Sequence, residues 1–182
     1  MNQSSPSLVT LSRTRQLTYT ALFLALALLL PVGFHALGIA GRLFLPMHLP
    51  VLLAGFMIGP AGAVLVGLLA PVLSHLTTGM PPTYAVPLMS LELPIYGLFA
   101  GVAYRQLHLN VYVALIVAMV AGRIMFGLGL FVLGMFMELP YDAAFFFSSA
   151  GPIIAGLPGI AVQLLLVPPI VAALHRRRHP AA

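Results

Sequence analysis

The chain has 182 residues, of which 61% are hydrophobic and 6% charged, and its mean hydropathy is +1.08. A soluble domain carries roughly 25% charged residues, so eight basic and three acidic side chains cannot cover a water-facing surface of this size. The surrounding solvent is therefore expected to be lipid. The net charge of +5 comes entirely from arginine, and cysteine is absent, which excludes disulfides, thiolate metal sites and cysteine nucleophiles. The arginines sit near the ends of apolar runs, so membrane topology accounts for the basic balance better than nucleic-acid binding does.

Six apolar segments follow in chain order. The first is Leu17–Leu37, kinked or ended near Pro31. The second is about Pro46–Ile58, and a Gly59-Pro60 turn leads to a third, Ala61–Leu76. After a loop over His75–Pro82 come Thr83–Tyr104, Val111–Gly134 and about Ala150–Leu174. Crossing the hydrocarbon takes about 20 apolar residues, so the second and third are short for full spans. The expected architecture is all-α: one transmembrane domain over residues 1–182 with six helices, a cytoplasmic segment over 1–16 and a basic cytoplasmic tail over 175–182. With six spans, Arg13, Arg15, Arg105 and Arg176–Arg178 share one side, whereas Arg42, Glu138 and Asp142 lie on the other. The positive-inside rule then puts both termini in the cytoplasm. Reading the first segment as a signal peptide cleaved near Gly38-Ile39-Ala40 leaves five spans and breaks this charge asymmetry.

Small residues let helices touch in lipid. Ala21/Ala25, Gly55/Gly59 and Gly97/Gly101 each form such a pair, for internal packing or for docking another membrane subunit. Ionisable groups inside spans are a stronger signal, because each costs at least about 2.5–3.5 kcal/mol to insert. Glu92 lies about 13 Å from the outer end of its segment and Arg123 about 18 Å, at 1.5 Å rise per residue, and an arginine side chain bridges that difference. An ion pair acting as a structural clasp, a ligand-lined cavity, or both would follow. Tyr96 shares the Glu92 face one turn on. Gln163 lies midway along the sixth segment, where it bonds a neighbouring helix or joins the same cluster. Three outer loops, Arg42–His48, His75–Pro82 and Glu138–Ser149, stand above these residues and fit a capture site with a lid.

Catalysis finds little support. Ser74 and His75 are adjacent and point apart on a helix, and no HExxH, GxSxG or nucleotide-binding GxxxxGK[ST] pattern occurs. His35, His48, His75, Met47 and Met80 match no metal-ligand spacing, so neither metal nor cofactor is expected.

The stretch "LPMHLPVLLAGFMIGPAGAVLVGLLAPVLSHLTTGMPP" resembles the second-to-third helix hairpin of the substrate-binding S components of energy-coupling-factor (ECF) vitamin transporters. "MSLELPIYGLFAGVAYR" is similar to their fourth helix, and Ala21/Ala25 to their Ala-xxx-Ala face; the likeness covers about residues 14–174. The resemblance implies a six-helix subunit without ATPase activity that binds a vitamin or precursor from outside with high affinity. It implies docking through Ala21 and Ala25 onto a membrane coupling subunit that carries two ATPases, with release by toppling in the bilayer. It places the ligand among Arg42, His48, Thr77, Thr78, Glu92, Tyr96, Arg123, Asp142 and Gln163. A solitary facilitator and a non-transport membrane scaffold are the alternatives.

Overall fold

The computed structural model describes residues 12–36, 44–140 and 152–178. Within them the chain is helical: α1 (Arg13–Ala36), α2 (His48–Met57), α3 (Pro60–Thr78), α4 (Ala85–Gly101, continuing through a π-helical turn Val102–Gln106), α5 (Val111–Leu133) and α6 (Leu157–Arg178), the last preceded by a short turn Pro152–Ala155. Five of these are long and apolar enough to cross a membrane. The exception, α2, has 10 residues and extends about 15 Å at 1.5 Å per residue.

α1 runs to Ala36, one residue short of the expected end, so Pro31 does not stop it, as spans tolerate proline where neighbouring groups re-satisfy the backbone. Two boundaries differ from the sequence expectation. α3 has 19 residues, ending at Thr78 rather than near Leu76, so it is long enough to span. Its stop is Gly79, at φ 71°, whose N–H bonds the His75 carbonyl. α6 proper begins at Leu157.

The α2–α3 connection is as tight as Gly-Pro predicts. Gly59 takes φ 98°, a conformation open to glycine at little steric cost, and Pro60 starts α3 where no backbone donor is needed. The Arg105 guanidinium, from the π-helical turn, lies over Gly59 and donates to the Met57 carbonyl at 3.2 Å. It thereby satisfies one of the carbonyls that every helix end leaves open. Asn110 caps α5, its side chain accepting from the Val113 N–H at 2.8 Å.

α4 is the hub, packed on α2, α3 and α5. Its seam with α2 and α3 is made of small residues. Gly67 faces the Leu93–Pro94 backbone, Gly97 faces Ala63, Gly101 faces Pro60, and Gly55 of α2 faces Gly97 and Ala100. A methyl added at Gly55, Gly67, Gly97 or Gly101 would meet its nearest neighbour at 2.6–2.7 Å. Gly55, Gly97 and Gly101 therefore serve internal packing, in the manner of small-xxx-small contacts in lipid. α1 turns Thr20, Phe23 and Ala27 into the bundle, while Ala21 and Ala25 are exposed.

Candidate functional site

The stripe Leu88, Glu92, Tyr96 repeats every four residues along the buried side of α4, so the three side chains stack on one face. That face meets α5. Leu88 lies against Gly129, Glu92 meets Arg123, and the Tyr96 ring lies directly on Gly122. Arg123 sits at the middle of α5, twelve residues from either Val111 or Met135. Its Nη1 donates to Glu92 Oε1 at 2.9 Å, with the Glu92 side chain 2% exposed and the Arg123 side chain 12%. The ion pair expected from the two segments is thus formed.

His48, in the first turn of α2, completes the cluster from a third helix. Its ring stands edge-on to Tyr96, with centroids 4.9 Å apart, and its Nε2 lies 3.6 Å from Glu92 Oε1. That separation is too long for a hydrogen bond, and the contact becomes an ion pair only when the imidazole is protonated. Tyr96 lies one turn from Glu92 on the same buried face of α4. Glu92 is therefore the charged group around which side chains of α2, α4 and α5 gather, and it accepts its hydrogen bond from Arg123 of α5.

The cluster has more polar atoms than partners. Both His48 ring nitrogens and the Nε and Nη2 of Arg123 are buried without a hydrogen bond. Gln163 on α6, 1% exposed, has neither its amide nitrogen nor its oxygen paired. Buried polar groups are nearly always hydrogen-bonded, and leaving one unmade costs about 1–3 kcal/mol. Such a surplus is unusual in the interior of a helix bundle and singles this cluster out as the candidate site.

The other residues proposed from sequence are placed differently. Thr77 and Thr78 belong to the last turn of α3, and their hydroxyls donate to the Leu73 and Ser74 carbonyls at 2.8 and 2.7 Å. Both are exposed. They are helix-end residues, and the loop anchor beside them is His75, whose Nδ1–H donates to the Pro81 carbonyl at 2.7 Å. Arg42 and Asp142 lie outside the described residues. One participant had no sequence signal that singled it out: Gly122 seats the Tyr96 ring, though its place beside Arg123 hints at the role. Ser90, two residues before Glu92 and so on another face of α4, also holds a buried, unpaired Oγ. Among the described residues no group of three His, Cys, Asp or Glu side chains could hold a metal ion.

Fold and site together define a multi-pass α-helical membrane protein with an ionic cluster buried at the middle of its bundle. Residues 15–171 match the family described as ECF transporter, substrate-specific component, and the chain belongs to that family. No curated protein and no solved structure is a significant match.

Proposed function

We propose that this subunit captures a vitamin or vitamin precursor from outside the cell with high affinity and delivers it to an ECF module made of a membrane coupling subunit and two ATPases. The observation that carries the reading is the polar surplus around Glu92: His48 and Arg123 hold donors and acceptors that the protein leaves unmatched, and Gln163 on α6 is likewise buried with its amide unpaired. In a chain of this family, a bound small molecule is the natural partner for them. His48, Glu92, Tyr96 and Arg123 form the floor of the proposed site, Gln163 is proposed to join it from α6, and Arg42, Thr77, Thr78 and Asp142 are assigned to the ligand by the family resemblance alone. Both termini face the cytoplasm of a prokaryotic cell, with Arg13, Arg15 and Arg105 on that side, in keeping with the positive-inside rule.

Ala21 and Ala25 are the proposed contact with the coupling subunit. They are small, exposed and on the side of α1 turned away from Thr20, Phe23 and Ala27. Native mass spectrometry of detergent-purified protein tests capture directly; a co-purifying vitamin-sized mass is expected, and its repeated absence from material purified out of rich medium counts against the reading. Ala21→Trp tests delivery: uptake by cells carrying the module is lost while ligand binding by the isolated subunit persists. Loss of both would show that Ala21 serves the fold instead.

A further inference from the structure

We infer that the captured molecule presents a carboxylate to the Nε–Nη2 edge of Arg123, an inference that rests on the reading of the cluster as a capture site. A guanidinium offers donors in a rigid plane. Glu92 holds Arg123 through Nη1 alone, at 2.9 Å. The opposite edge, made of Nε and Nη2, is buried and bonded to nothing. Two parallel N–H groups in one plane fit the two oxygens of a carboxylate as a bidentate pair. Glu92 fixes the guanidinium in advance, so little side-chain order remains to be lost on binding.

Alternative chemistries fit this edge less well. A carboxamide offers one acceptor and one donor, and its NH₂ would face an N–H. A cation would approach the arginine before the acid, because the Arg123 side chain is 12% exposed and Glu92 only 2%. The ion pair leaves the cluster neutral, so a bound anion adds one negative charge. His48, 3.6 Å from Glu92 on the side of α2, is placed to offset that charge when protonated. Gln163 adds a further unpaired amide on α6, suited to polar atoms elsewhere on the same molecule.

The test uses the full chain in detergent and thermal-shift titrations with matched pairs: nicotinate and nicotinamide, biotin and biotinamide, pantothenate and panthenol, with neutral riboflavin and cationic thiamine alongside. One acid should stabilise the protein with its uncharged partner binding at least about tenfold more weakly, as expected when a charge-assisted hydrogen bond is lost. Arg123→Lys, which keeps a cation for Glu92 but removes the planar edge, should weaken that acid by about tenfold or more. If Arg123→Lys melts too low to titrate, the acid-to-neutral ratio on the unaltered protein decides alone. Preference for an uncharged or cationic compound, unaffected by Arg123→Lys, overturns the carboxylate while leaving vitamin capture standing. No stabilisation by any compound overturns both.

Discussion

The two sides of α4 solve opposite problems. Toward α2 and α3 it presents Gly97, Ala100 and Gly101 to Gly55, Pro60 and Ala63, and backbones approach so closely that a single methyl does not fit. Toward α5 it presents Glu92 and Tyr96 to Arg123, with polar atoms left unpaired. The first side is held by van der Waals contact between small residues, the main attraction available to helices in a solvent as apolar as they are. The second carries charges that lipid disfavours by about 2.5–3.5 kcal/mol each on insertion scales. The difference suggests a division of labour: the glycine seam provides a rigid spine, and that spine lets the other side of the same helix hold an incompletely satisfied cluster in place.

Overfilling the seam is the most damaging way to test this division. Gly97→Leu sets a branched side chain against the Ala63 backbone, which cannot retreat without moving α3. A loss of roughly 5 kcal/mol or more is expected, read as absence of a monodisperse peak on size-exclusion chromatography in detergent. A well-folded Gly97→Leu protein would mean the two helices slide freely, and the contrast between the two sides would fall.

Cutting the ion pair comes next. Glu92→Ala strands Arg123 in the bundle, and breaking a buried pair from one side costs about 3–5 kcal/mol. Replacing both partners, Glu92→Leu with Arg123→Leu, should recover much of that loss in a chemical or thermal unfolding experiment while abolishing ligand binding. Equal instability of the single and double variants would show that shape, and not charge, decides this position.

The legibility of these features in the sequence follows the same contrast. Ionisable residues in apolar runs must find partners, so Glu92 and Arg123 could be paired before any coordinates, and Tyr96 followed from its i, i+4 spacing. His48 reached the site list through family resemblance; no spacing rule ties the first turn of α2 to the middle of α4. The Gly59-Pro60 turn was legible because its backbone geometry is local. Helix ends set by tertiary context were not. Pro31 permits a kink or a stop, and only the stop is excluded because α1 continues to Ala36; Thr77 and Thr78 read as loop residues, although Gly79 is the residue that ends α3. Gly122 is not legible because the role of a glycine depends on which way its helix is rotated, and a helix such as α5, apolar but for Arg123 at its middle, has too little polar pattern to fix that rotation.

A finer test of the ligand side is Gly122→Ala. The added methyl would occupy the place of the Tyr96 ring, and overpacking of this kind costs about 1–3 kcal/mol. The ring must move, carrying with it the edge contact to His48. Ligand affinity should therefore fall out of proportion to stability, measured by titration alongside thermal unfolding. A proportionate fall would make Tyr96 a packing residue only.

The smallest expected effect has the most informative sign. Gln163 is 1% exposed with both amide atoms unpaired, so in the unliganded protein it is a liability of about 1–3 kcal/mol. Gln163→Leu keeps the approximate volume and removes the polar atoms. The unliganded variant should then melt slightly higher than the parent, by the equivalent of about 1 kcal/mol, and bind its ligand more weakly. Stability and affinity would move in opposite directions, as expected where a protein keeps an unsatisfied group for the sake of a partner. If Gln163→Leu instead lowers the melting temperature, the amide has partners within the bundle, and α6 belongs with the glycine seam as part of the spine.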